Sequence, residues 1–137
     1  MSKKSIVKDV MFLSQKSTPA TTADIQVAQD LTDTLIANKE RAVGLAANMI
    51  GVQKNIIAFF AGPLPMVMFN PRIINKSGEY HTQEGCLSLS GQRPTTRYRE
   101  ITVEFQNHNF EKTTQSFTGF VAEVIQHEID HTKGIII

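Results

Sequence analysis

The run HEIDH, from His127 to His131, lies six residues from the end of a 137-residue chain and constrains the fold more than any other stretch. On a helix, residues four apart stand one above the other on one face, so both imidazoles can aim at one ion with Glu128 beside them. Catalytic ions of this kind usually take three protein ligands and keep one position open. The residues after His131 are Thr132, Lys133, Gly134, Ile135, Ile136 and Ile137, none of them a useful side-chain ligand for a transition metal. The third ligand is therefore expected upstream, on a segment that folds back onto the last helix. Cys86 is the strongest candidate, because a thiolate binds zinc and ferrous iron well and QEGCLSLSGQR offers a turn at Gly85 followed by polar residues. His81, Glu84 and His108 are the alternatives, and a lone cysteine is also commonly a small buried hydrophobe.

The periodicity places that helix in an α+β domain. Phe120, Val121, Val124, Ile125 and Ile129 fall at helical spacing in TGFVAEVIQHEIDH, and Gly134 stops the run. An earlier helix is predicted from a cap at Thr22 or Asp24 to about Asn38, with Ile25, Ala28, Leu31 and Leu35 as its apolar stripe. Between the two lie candidate strands at 55–60, at 66–74 with Pro71 bending it or pushing it to an edge, at 100–105 and at 113–117. Ile101, Val103 and Phe105 alternate with Thr102 and Glu104, which predicts an antiparallel sheet with one wet face. Residues 1–21 are mixed and polar, with KSTPATTAD reading as loop, while RAVGLAANMIGVQKN carries small residues around Gly44 and Gly51 that suit either close approach to a ligand or a tight connection. The chain shows no repeat and no boundary, so one domain over 1–137 is expected.

Charge narrows the function classes. The formal net charge is +1, and Arg93, Arg97 and Arg99 are too few to make a basic patch, so neither nucleic acid nor an acidic membrane surface is an expected partner. Lys8 and Asp9 interrupt the apolar residues at the amino end, which removes a signal peptide from consideration, and no stretch is long enough to span a membrane. With a single cysteine no intrachain disulfide forms, and a reducing, cytoplasmic setting is the natural inference. The composition sets no oligomeric state.

EGCLS (84–88) followed by QHEIDH (126–131) resembles two signature motifs of the peptide deformylases, and GLAANMIG (44–51) resembles the third. The resemblance runs through nearly the whole chain. It implies a deformylase α+β fold with antiparallel sheets around the C-terminal HExxH helix and a helix near the amino end. It further implies hydrolysis of the formyl group from peptides or nascent chains that begin with N-formylmethionine. By the same resemblance Cys86, His127 and His131 bind one divalent metal, commonly Fe2+, with Zn2+, Ni2+ or Co2+ able to occupy the site. Glu128 serves as base and then acid, and the Leu87 backbone N–H donates to the formyl oxygen. Gly44 and Leu45 line the substrate cleft, Met49 takes the place of an oxyanion-hole residue there, and Arg93 lies near the peptide-binding surface. The peptide binds by strand addition, with an apolar pocket for the methionine side chain.

Two departures from the family pattern carry expectations of their own. Ala42 replaces a glycine, and Met49 stands where the family has a glutamine whose amide completes the oxyanion hole. Methionine has no N–H to donate, so reduced activity is expected, since one such donor is typically worth roughly a hundred- to a thousand-fold in turnover. The neighbouring Asn48 is expected to project to the opposite side of an extended chain. Many family members continue into a further helix beyond the position of Ile137, so a ribosome contact that depends on that helix is not expected. A competing reading keeps the metal and the cleft but makes the protein a weak or inactive module that binds formylated peptides or a protein partner. Glu128 favours chemistry over pure binding, because a binder has little use for a proton-transfer carboxylate.

Overall fold

The computed structural model describes residues 4–86, 88, 89 and 91–137. A short helix, α1 (Val10–Leu13), is capped by the Asp9 carboxylate and stands just ahead of the segment expected to be loop. Next come a 3₁₀ turn, Thr22–Asp24, and α2 (Ile25–Ala37), which together match the predicted first long helix. Its stripe is buried at Ala28, Leu31 and Leu35, but Ile25 at the amino end is about half exposed.

Five strands follow in one antiparallel sheet whose order is the chain order, β1 (Gly44–Ala46), β2 (Ile56–Ala61), β3 (Leu64–Glu84), β4 (Arg93–Gln106) and β5 (Lys112–Thr118). The small-residue segment after α2 is thus an edge strand, followed by a 3₁₀ turn at Ala47–Ile50. The expected strand at 66–74 is part of a much longer one. Pro71 does not end it, because register shifts between Phe69 and Arg72 and between Ile73 and Asn75 absorb the missing N–H, with Asn70 at φ 53°. Beyond the shifts β3 and β4 run on as a hairpin to Glu84 and Arg93, which carries Cys86 back to the level of the last helix. The alternation in β4 is as expected, with Ile101, Val103 and Phe105 buried and Thr102 and Glu104 partly exposed.

The last helix, α3 (Gly119–Thr132), packs across β1, β2 and β4. Val124, Ile125 and Ile129 join Leu31, Leu35, Phe59, Met68 and Val103 in one apolar core. Phe120, expected on that stripe, is 63% exposed instead. A pair of hydrogen bonds locks the helix to the sheet: Gln126 donates through Nε2 to the Tyr98 carbonyl at 2.8 Å, and the Tyr98 N–H donates to Gln126 Oε1 at 2.9 Å. After α3 the chain turns at Gly134 (φ 77°), where a Cβ would lie 2.3 Å from the Ser14 carbonyl oxygen, so the segment after α1 sits directly against this turn. No helix among the described residues is long and apolar enough to cross a membrane.

Candidate active site

From Ala122 to Thr132, α3 is buried on most of its circumference, and this burial includes His127, Glu128 and His131. Their ligand atoms all lie within 4.8 Å of one another, and the two imidazole centroids are 4.4 Å apart. Polar groups this deeply buried need partners. His127 finds one on β3, where Glu84 Oε1 is 2.7 Å from Nδ1. With a carboxylate as acceptor, Nδ1 carries the hydrogen and Nε2 keeps its lone pair for an ion. Glu84 is held in turn by Arg97, whose Nε and Nη2 donate to it at 3.0 and 2.7 Å, while Arg97 Nη1 reaches Asp130 on α3 at 2.7 Å. Burial pushes the Glu84 carboxyl up, but the hydrogen bonds from His127 and Arg97 outweigh it and leave the group at about 2.

His131 is set differently. Its Nδ1 is 3.3 Å from Met49 Sδ and 3.4 Å from Glu128 Oε1, and its carbonyl accepts from Asn48 Nδ2 at 2.9 Å. Burial would lower its pKa, yet hydrogen bonds to Cys86 and Glu128 push it up to about 10. The Cys86 thiol, half-buried, is raised by that same burial and lowered more by His131, so it stands below its ordinary value. Without an ion, then, Cys86 and His131 are hydrogen-bonded partners, each favouring the charged form of the other. Glu128 Oε1 is buried and faces the His131 ring at 3.4 Å, with no closer hydrogen bond among the described residues. A buried carboxylate oxygen so thinly satisfied, beside two imidazoles, suits a cation and the water it would hold.

The group opens onto a cleft of about 550 Å³, walled by Val43 and Gly44 on one side, Phe120, Glu123 and Val124 on α3, and Gln83, Gly85 and Cys86 from the β3 end. Gly44 is obligatory here, because a Cβ on it would meet Val124 Cγ1 at 2.8 Å and Glu128 Cγ and Oε2 at 3.1 Å. Other residues singled out in the sequence fall elsewhere. Leu45 has its side chain in the core rather than on the cleft, and Arg93 is partly buried outside the cleft lining, with its Nη1 unpartnered. Met49 is 1% exposed and lines a small cavity behind His131 with Asn48, Ser88 and Ile135–Ile137. Leu87 lies outside the described residues. Asn48 stands in a 3₁₀ turn, not in extended chain, and its amide is spent on the His131 and Leu13 carbonyls, the latter at 3.5 Å.

Several working residues escaped the sequence. Glu84, an alternative ligand by sequence, bonds the His127 ring instead, and Arg97, one of three arginines too few for a basic patch, is only 3% exposed. A basic residue at an inward position of a strand was the available signal for Arg97.

Comparison with known proteins places this geometry. Residues 4–137 match the family model described as polypeptide deformylase. A peptide deformylase from Clostridium beijerinckii is 55% identical over 134 residues, covering 98% of each chain, and peptide deformylase 2 from Clostridium acetobutylicum is 36% identical, covering 91% of this chain and 85% of its own. Among solved structures, a class I type b peptide deformylase from Acinetobacter baumannii superposes with a TM-score of 0.88 at 25% identity, covering 99% of this chain and 97% of that one. The peptide deformylase from Thermus thermophilus does so with 0.86 at 30%, covering 99% and 84%. With a family model spanning all but its first three residues and a relative of the same length at more than half identity, the chain belongs to the peptide deformylase family.

Proposed function

We propose that the protein hydrolyses the N-formyl group of formylmethionyl peptides, releasing formate and a free α-amine. The observation that carries this reading is the buried Glu128 carboxylate, set with its oxygen beside two imidazoles at an open cleft. Cys86, His127 and His131 would hold one divalent transition ion, and a sulfur with two nitrogens suits ferrous iron or zinc, with nickel or cobalt as substitutes. When bound, that ion supplies Lewis-acid polarisation of the formyl carbonyl and acidifies a water beside it.

The chain's own groups do the rest. Glu128 takes a proton from the water as the water oxygen attacks the formyl carbon, then gives it to the leaving nitrogen as the C–N bond breaks. One water is consumed, and one formate and one amine result. β1 is an edge strand, so its backbone is free to pair with an extended peptide whose first residue lies against Val43, Gly44 and Val124. The Leu87 N–H is assigned to the formyl oxygen. Met49 has no side-chain N–H to add, and the neighbouring Asn48 amide is already committed, so turnover is slower than in a relative with glutamine at this position.

Formate release from a formyl-methionyl peptide, measured without oxygen on iron- or nickel-loaded protein, tests the reading beside Glu128→Gln. The parent is expected to turn over, and Glu128→Gln to keep its ion and lose roughly a hundred- to ten-thousand-fold in rate. Met49→Gln is expected to gain roughly a hundred-fold. A fully loaded parent that binds the peptide but releases no formate would establish the binding module instead.

A further inference from the structure

One group on the cleft wall has no part in the hydrolysis just described. Glu123 stands one helical turn before His127, so the two share a face of α3, as Val124 and Glu128 do. It is partly buried between Val124 and the exposed ring of Phe120, with Val43 on the cleft's other lip. Around Glu123 this part of the wall is apolar, with Val43, Phe120 and Val124 as its neighbours. Its partners come from β3: Tyr80 Oη donates to Glu123 Oε1 at 3.4 Å, and the Glu84 carboxyl lies in hydrogen-bond contact. Glu84 is already engaged by Arg97 and His127. Two facing carboxyls need a proton or an added cation between or beside them, and Glu123 is accordingly pushed up to about 7, first by Glu84 and then by burial. A donor arriving along the cleft meets this pair of facing carboxyls.

The position of that carboxyl decides what meets it. A formyl carbon placed at Glu128 leaves the first residue's side chain to run along α3 towards its amino end, because the cleft extends over Val124, Glu123 and Phe120 in that direction. We propose that Glu123 is a specificity-determining residue that lets the cleft accept a first residue ending in an ammonium or another N–H donor, in addition to apolar chains of methionine length. The proposal rests on the deformylase reading above.

The test uses full-length, metal-loaded protein and three formyl peptides, beginning with methionine, norleucine or lysine and continuing Ala-Ser. Norleucine carries the carbon chain of lysine without its ammonium, so the ratio of kcat/KM for lysine over norleucine reports the terminal group alone. Glu123→Leu is expected to lower this ratio about tenfold, the scale of a partly exposed hydrogen bond to a charge. Glu123→Gln keeps the shape and one acceptor and is expected to lower it by a smaller factor. Calorimetric affinities of Lys-Ala-Ser and Nle-Ala-Ser read the same discrimination without turnover. If no peptide releases formate, the deformylase reading fails while Glu123 is still judged on the two affinities. Ratios in both variants within twofold of the parent, by rate and by affinity, with unchanged melting temperatures, overturn the proposal.

Discussion

The contact between Gly44 and α3 lends itself to a quantitative test. In Gly44→Ala the added methyl would start 2.8 Å from Val124 Cγ1, whereas ordinary contact begins at 3.4 Å, so something must move by at least 0.6 Å. The helix is poorly placed to yield, because Gln126 bonds both the N–H and the carbonyl of Tyr98. The strand is no freer, since Gly44 pairs with Phe59 in β2. Overpacking of this size costs about 1–3 kcal/mol. For a 137-residue chain the unfolding entropy is about 0.3 kcal/mol/K, so the melting temperature should fall by roughly 3–10 °C. The same methyl sits 3.1 Å from Glu128 Cγ and Oε2, and a displaced proton-transfer group costs up to about a hundred-fold in rate. Val124→Ala separates the two effects. In the double variant the strain against Cγ1 disappears, so stability exceeds the sum of the singles by about 1 kcal/mol, while the rate stays low because the Glu128 contacts remain. Additive stabilities, together with Gly44→Ala turning over within threefold of the parent, would refute the steric account.

Glu84→Gln leaves His127 with a weaker acceptor and Arg97 without its carboxylate, so metal affinity should fall about ten- to a hundred-fold in a chelator competition, with a clear loss of stability by thermal melting. His131 holds a proton up to about pH 10 in the ion-free protein, so each ion should displace at least one proton at pH 7–8. Calorimetry in buffers of different ionisation enthalpy reads this, and zero displacement rules it out. Glu84 and Glu123 shift in opposite senses. The lowered Glu84 adds stability above pH 4.5 that is lost as pH falls towards 2, whereas the raised Glu123 removes stability as pH rises from 4.5 through 7. Glu123→Gln should therefore raise the melting temperature of the metal-free protein at pH 8 more than at pH 5, and equal shifts at both would contradict the carboxyl pairing.

How far the sequence could be read depended on the range of the interactions. The spacing of His127 and His131 is local to one helix, and the alternation of Ile101, Val103 and Phe105 is local to one strand, so both were legible. Glu84 was not, because its role appears only when β3 brings it to His127, 43 residues later, and when Arg97 crosses to Asp130, 33 residues on. Beside a cysteine, a glutamate reads as one more ligand. Pro71 suggested a bend or a sheet edge, yet a pair of register shifts lets β3 run to Glu84. Asn48 was judged on an extended backbone, and nothing in AANM announces a 3₁₀ turn. Phe120 obeyed helical spacing but faced outward, because the cleft interrupts the core at that end of α3.

The tight seat of Gly134 against Ser14 reaches further than a turn. It brings the end of α1 and the last three residues to the same place, where Leu13 and Ile135–Ile137 form the rear partition of the chamber that holds the His131 ring. Changes to Leu13 or to Ile135–Ile137 therefore act first on how long an ion stays, and only through that on catalysis.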